Sequence, residues 1–374
     1  MSSPRYTALA ASLPASVPFV GPEAQERRLG QSFEARIGAN ESVFGPSPRA
    51  IEAMRDAAAE VWQYGDPENH ALRAALAKAH GVALENIVVG EGIDGLLGYL
   101  VRLLVSQATP VVTSAGAYPT FNYHVAGFGG RLETVPYRDD AEDPEALLAR
   151  ARAVGAPLIY FANPDNPMGS CHTAERVAAM IAAVPDGAVL CLDEAYIEFA
   201  PEGTAPPIDP DEPRVIRMRT FSKAHGMAGA RVGYAIAHRD LATAFNKVRN
   251  HFGVNRVAQA GACAALADRG WVAQVCEQVA AARAQLAEIA AANGLAALPS
   301  ATNFMAIDTG RDGAFARALV TGLAARQVFV RMPFVAPQDR CIRVSAGRNS
   351  DLLLLASALP DALADAAAAC KSRG

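Results

Sequence analysis

Clustered cations are missing from this sequence. No Lys/Arg tract stands out, and 34 basic residues against 38 acidic ones leave a formal net charge of −4. Nucleic-acid phosphates are bound by grouped Lys and Arg, so no nucleic-acid partner is expected. Long apolar runs are missing too. None reaches the roughly 20 residues that cross a bilayer, so no membrane partner is expected either. The stretch Thr7–Val20 is mildly apolar, but Pro14 and Pro18 interrupt it and only Arg5 precedes it, which argues against a secretory leader. Cysteine is sparse: six residues, at 171, 191, 263, 276, 341 and 370, with no C-x-x-C pair. That spacing suggests neither a zinc site nor a redox motif, and it suits incidental thiols in a reducing cytoplasm. No repeat period is visible.

What is present is a long, apolar chain. Its 374 residues exceed one small core and suit a large domain with a smaller lobe, and 51% are apolar. Residues 1–35 read as irregular. Ser47-Pro48 looks like an N-cap followed by proline at the first helical position, opening a helix to about Trp62. A second helix is expected from Glu68 to His80, a strand over Asn86–Val89, and a helix from about Asp94 to Val105. Compact β-rich runs follow at Pro110–Thr113, Pro157–Phe161, Ala188–Leu192 and Arg214–Met218, the type buried on both faces of a parallel sheet, with a further strand over Arg231–Ala237. This alternation argues for an α/β layered domain over about 45–260. The last third changes character. A long helix over Trp271–Asn293, short strands at Phe304–Ile307, Val328–Arg331 and Cys341–Val344, and a helix over Asp351–Cys370 read as a smaller α+β lobe.

Four motifs sit where the strands end. Gly90-Glu91-Gly92-Ile93-Asp94-Gly95 matches G-x-G-x-x-G between a strand and a helix. A dinucleotide site also wants an acid at the end of the next strand, and Thr113-Ser114-Ala115-Gly116 has none. What survives is a glycine-rich helix N-terminus, which suits any phosphate. Asp193-Glu194-Ala195-Tyr196 puts a carboxylate after a buried strand, facing the ligand crevice of an α/β sheet. Asn163-Pro164-Asp165-Asn166-Pro167-Met168-Gly169 reads as a double turn at the same edge. Thr220-Phe221-Ser222-Lys223, with Arg231 eight residues on, places a lysine beside a hydroxyl after a core strand. Burial and nearby cations would strip its proton and make it a nucleophile towards an aldehyde.

Taken in order, these motifs resemble the fold-type I pyridoxal-phosphate (PLP) aminotransferases, and among them the histidinol-phosphate aminotransferase family, from Asn40 to Gly347. Gly38-Ala39-Asn40-Glu41 with Gly45-Pro46-Ser47-Pro48 resembles that family's N-terminal substrate motif, and Tyr64-Gly65-Asp66-Pro67 its tyrosine segment. The resemblance implies a PLP-dependent transferase-like large domain over 45–265, α/β with a mainly parallel sheet flanked by helices. A smaller α+β domain would form from 1–44 and 266–374. It implies PLP as cofactor, held by Lys223 as a Schiff base, with Lys223 then moving the α-proton. Asp193 would keep the pyridine nitrogen protonated, Tyr196 and Asn166 would bond the ring hydroxyl oxygen, and Phe121 would stack on the ring. Gly92, Ile93, Asp94, Ser222 and Arg231 would hold the phosphate, with Tyr64 reaching the partner subunit's cofactor. Asn40, Arg331 and Arg343 would bind substrate, the two guanidiniums clamping a carboxylate or phosphate.

The expected activity is ping-pong transfer of an amino group from an amino acid or amino-acid-like amine, histidinol phosphate or an aromatic amino acid among them, to a 2-oxo acid such as 2-oxoglutarate. The expected assembly is a cytoplasmic homodimer. Decarboxylation of a phosphorylated amino acid and a non-catalytic PLP-fold binding protein are the alternatives. Three positions depart from the family pattern: Gly95 replaces an acid, Met168 a threonine and His225 an aromatic residue. Met168 should leave the cofactor site alone, whereas Gly95 and His225 could alter the substrate cleft. For His225, a packed loop histidine is the expected role.

Overall fold

A computed structural model of the chain describes residues 4–15 and 19–371. Pro18, invoked above for the N-terminal stretch, lies outside the described residues. The centre of the fold is a seven-stranded sheet: β1 Ile87–Gly90, β2 Pro110–Ser114, β3 Arg131–Val135, β4 Leu158–Ala162, β5 Val189–Asp193, β6 Val215–Thr220 and β7 Gly233–Ala237, in the spatial order β1-β7-β6-β5-β4-β2-β3. β7 runs antiparallel to both its neighbours, and the other pairs are parallel. The ends of β1, β2, β4, β5 and β6 therefore meet at one edge.

The inner strands lack polar alternation because both faces are covered. In β4, Leu158 and Tyr160 pack with Leu97, Leu100 and Val125 of helices Gly92–Leu104 and Pro119–Gly127. Ile159 and Phe161, on the opposite face, pack with Leu147 and Val177 of helices Pro144–Val154 and Ala174–Ala182. The β1–β7 end is covered by Pro48–Ala58, His70–His80 and Arg256–Ala267. Burying each such side chain contributes about 1.5–3 kcal/mol, before the opposing loss of chain entropy.

A second core joins Ala35 and Ile37 to residues 275–366, with Tyr196, Phe199 and Ala224 at its boundary. Here Phe304–Asp308 pairs antiparallel with Cys341–Ser345, and helices Arg269–Ala292, Gly313–Ala325 and Asn349–Lys371 surround them. The last helix is long and apolar enough by composition to cross a membrane, but Leu352, Leu355, Leu359 and Ala362 pack into this core.

Several expectations need correction. Short helices Ala8–Ser12 and Pro22–Leu29 occupy a region read as irregular. The helix capped by Ser47 stops at Ala58 and does not reach Trp62, which is 79% exposed. The strand expected over Val328–Arg331 is only Val328–Phe329. Arg331 is instead held by a single antiparallel bridge to Arg343, with N–H···O contacts of 3.2 and 2.6 Å in the two directions.

Candidate active site

A cleft of about 590 Å³ opens where those strand ends meet the second core. Eleven residues singled out from the sequence line it. Ile93, Asp94, Asn166, Asp193, Tyr196, Ser222, Lys223 and Arg231 come from the sheet side, and Asn40, Arg331 and Arg343 from the other.

Lys223 follows β6 within the turn that Gly226 closes, and its Nζ donates to the Asn40 carbonyl at 2.9 Å. Burial first, then the Arg343 and Arg231 charges, pull its amine down to about 8. Asp193 is the last residue of β5. Its carboxylate accepts from the Tyr160 hydroxyl at 2.7 Å and from the Ala195 N–H at 3.0 Å. Burial pushes it up to about 6 despite those donors. Tyr196 accepts from the Nδ2 groups of Asn40 at 3.1 Å and Asn166 at 3.3 Å, and burial raises its hydroxyl pKa. The Asn166 Oδ1 in turn accepts from Arg343 at 2.6 Å.

Arg343 and Arg331 are bridged neighbours whose guanidiniums both reach the cleft. Burial pulls the Arg343 guanidinium down to about 10, and its Nε is buried with no hydrogen-bond partner among the described residues. Arg331 donates to the Val20 carbonyl at 2.9 Å and lies over the Phe329 ring.

These groups fit PLP. The carboxylate of Asp193 is buried without an ion-pair partner in hydrogen-bond contact among the described residues, and a protonated ring nitrogen would supply the missing charge. Gly92 has φ +76°, and a Cβ there would come within 2.6 Å of the Arg231 Nη2, so only glycine keeps that cradle open. Arg231, itself in the left-handed region at φ 58°, reaches the Ser222 hydroxyl at 3.5 Å. A helix N-terminus, a hydroxyl and a guanidinium thus converge as a phosphate site requires.

Two expectations fail here, those for Phe121 and Gly95, while the packed role expected of His225 holds. Phe121 does not line the cleft. Pro119 starts a helix that turns position 121 into the core, where its ring stacks on Tyr160 at 4.6 Å. Tyr118, at the preceding N-cap position, lines the cleft instead. Neither Gly95 nor His225 alters the cleft: Gly95 faces Glu91, and His225 is packed against Phe221 at 4.7 Å, where burial pulls its imidazole down to about 4. Met168 is buried with Ala306 and Cys341, away from the cleft, as expected. Tyr64 is 80% exposed and lies outside this chain's cleft, against Phe252. Tyr160 was missed by the sequence reading, because its apolar strand gives no sign that its hydroxyl meets Asp193.

Residues 35–359 match the family aminotransferase class I and II. A histidinol-phosphate aminotransferase from Anaeromyxobacter sp. is 37% identical over 331 residues, covering 85% of this chain and 89% of that protein. One from Gluconacetobacter diazotrophicus is 35% identical over 330 residues, covering 87% and 90%. The crystal structure of histidinol-phosphate aminotransferase from Sinorhizobium meliloti in complex with pyridoxal-5'-phosphate is 54% identical, with a TM-score of 0.94 over 97% of this chain and 98% of that one.

Proposed function

The chain belongs to the class I and II aminotransferases and is PLP-dependent, and on that premise we propose that it takes the amino group of histidinol phosphate and passes it to a 2-oxo acid such as 2-oxoglutarate. The observation that carries the substrate reading is the pair Arg331 and Arg343, two guanidiniums on bridged residues at the cleft wall, with the Arg343 Nε still unmatched. A phosphate monoester offers them a dianion with three acceptor oxygens.

When bound, PLP supplies an electrophilic aldehyde and a ring that accepts electron density as the α-proton leaves. The protein's own groups do the rest. Lys223 carries the cofactor and moves the α-proton, for which a depressed pKa suits it. Asp193 holds the ring nitrogen protonated, while Tyr196 and Asn166 bond the ring hydroxyl oxygen. Gly92, Ile93, Asp94, Ser222 and Arg231 hold the phosphate, and Asn40 with the two arginines orients substrate. Residues 45–265 then form the cofactor-binding domain, and 1–44 with 266–374 the smaller lobe that closes on it. The exposed cluster of Val61, Trp62, Tyr64 and Phe252 supports a homodimer in which Tyr64 reaches the partner's cofactor. Six free thiols support a cytoplasmic location.

The test is incubation with histidinol phosphate and 2-oxoglutarate, following glutamate and any CO₂. Glutamate without CO₂ supports the reading. Glutamate formed only from phenylalanine or tyrosine replaces the donor, and CO₂ release replaces the reaction. Arg343→Ala should raise KM for histidinol phosphate roughly 10- to 100-fold, the equivalent of about 1.5–3 kcal/mol for hydrogen bonds to a charged group. Arg343→Lys should recover only part, since it keeps charge but loses the fork. An unchanged KM in Arg343→Ala would remove that residue from substrate binding.

The depressed Lys223 pKa gives a pH prediction. Only the neutral amine attacks the PLP aldehyde. Uptake of PLP by apo-protein should therefore quicken as pH rises and level off above about 8, well short of the 10.5 of a free lysine. Stopped-flow absorbance reads this directly; a rate still climbing to pH 10 would contradict the burial effect.

A further inference from the structure

We propose that Asn303 is a positioning residue for Lys223, acting through the backbone carbonyl of Asn40. That carbonyl accepts two side-chain donors, Lys223 Nζ at 2.9 Å and Asn303 Nδ2 at 3.1 Å. The same Asn303 Nδ2 also donates to the Glu41 carbonyl at 3.3 Å. Both of its hydrogens are therefore committed to successive carbonyls. Flipping the amide would put an oxygen against two oxygens, so the orientation is fixed. The consequence is a buried Asn303 Oδ1 with no hydrogen-bond partner among the described residues. An unmet buried acceptor is unfavourable, and the fold tolerates it to keep the amide N–H groups aimed at Asn40 and Glu41.

The rest of the frame is held at several points. Asn40 sits at φ 55°, its N–H donates to the Ser345 hydroxyl at 2.9 Å, and its Nδ2 holds Tyr196. Asn303 is anchored by the Ala346 N–H, and its loop by the Ala301 N–H on the Gly169 carbonyl. Lys223, on its four-carbon stem, is the member that moves. A neutral amine has two N–H groups and one lone pair. Donating one N–H to Asn40 turns the lone pair away from that carbonyl, leaving it free for the cleft. Asn303 thus fixes the acceptor that orients the proton-carrying lone pair.

The inference takes from the proposed function only Lys223 as the proton carrier, and its first test needs no substrate. Apo-protein of wild type, Asn303→Leu and Asn303→Asp is trace-labelled with acetic anhydride across a pH series, and acetylation of the Lys223 peptide is read by mass spectrometry. The other charges acting on Lys223 come from Arg343, Glu41, Arg231 and Asp193, and all remain in each variant. The carboxylate introduced by Asn303→Asp should raise the labelling midpoint by about one unit or more. Leucine, of similar size but with no donor, frees the carbonyl to turn away and should lower the midpoint. Midpoints equal to wild type in both variants overturn the proposal. So does a rise in both towards the free-lysine value, which would mean that water had merely entered.

The second test uses holoenzyme with α-deuterated amino donor. Asn303→Leu should lower kcat roughly 10- to 100-fold with KM unchanged, and the isotope effect on kcat should grow as proton transfer becomes limiting. A fall in kcat with an unaltered isotope effect would make Asn303 a structural residue and overturn the orienting role. If the wild type leaves histidinol phosphate untouched, the substrate reading fails while the lysine titration still decides this one.

Discussion

Lys223→Ala should reduce transamination by more than about 10⁴-fold while leaving the protein folded. In the proposed function the amine carries two roles at once, holding the cofactor and moving the α-proton, and general acid–base catalysis alone is worth about 10²–10⁴-fold. The other candidate groups are engaged elsewhere: the His124 imidazole, which lines the cleft, pairs with Asp94 at 2.8 Å. His225 is buried behind the lysine loop and does not line the cleft, and Tyr196 has its hydroxyl pKa raised by burial. The stability side is equally specific. Among the described residues the Lys223 side chain makes one hydrogen bond, to the Asn40 carbonyl, and its ammonium is disfavoured by burial and by Arg343. A lysine whose folded pKa lies below its unfolded one destabilises the fold most when both states are protonated, at pH below about 8. That penalty fades as pH rises from about 8 towards 10.5. Alanine removes the penalty and also removes packed methylenes, and the two effects oppose. The melting temperature at neutral pH should therefore stay close to wild type. Any advantage of the variant should shrink in alkaline buffer. Thermal melts across pH with a glutamate-formation assay check both halves, and full activity in the variant would overturn the mechanism.

The parts of this structure that the sequence made legible share one property: they are local. Asp193 could be read as facing the crevice because a run of five apolar residues ends beside it, and β5 does end on Asp193. Lys223 stood out because a core strand, a hydroxyl and Arg231 frame it within a short stretch of chain. β3 gives no clear signal, because Arg131–Val135 mixes charged and apolar residues and lies at the sheet edge beside β2. Phe121 was misassigned for a different reason. In sequence, Tyr118 and Phe121 are both aromatic and three residues apart; only the helix start at Pro119 decides which one meets the cleft. Tyr160 and Asn303 lay beyond reach altogether. Their roles come from partners 33 and 263 residues away, and no spacing rule connects them.

Asp193→Ala should retain some cofactor yet lose roughly 10²–10³-fold in kcat, the scale seen when a fixed electrostatic partner is deleted. Cofactor retention follows from geometry. The lysine, the Gly92 cradle and Arg231 lie on other strand ends and survive the change. The rate loss follows from charge. Asp193 sits at the floor of the cleft, held by the Tyr160 hydroxyl and the Ala195 N–H. Burial lifts its pKa to about 6, so in the free protein its charge is only marginally maintained near neutral pH. A protonated ring nitrogen against it would favour the carboxylate and pull that pKa down, and the same coupling would raise the pKa of the nitrogen. Alanine would remove that coupling, so Asp193 could no longer favour the protonated nitrogen on which electron withdrawal by the bound ring would depend. Asp193→Asn tests charge apart from shape, since it can still fill the space but cannot hold a cation. It should fall nearly as far as alanine. Tyr160→Phe should cost much less, because it removes one donor to the carboxylate and leaves the charge in place. The measurements are cofactor content by absorbance after desalting and kcat for glutamate formation in all three variants. Near-normal turnover in Asp193→Ala would remove the residue from its role. A loss in Tyr160→Phe equal to that in Asp193→Ala would shift the weight from the carboxylate's charge to its orientation.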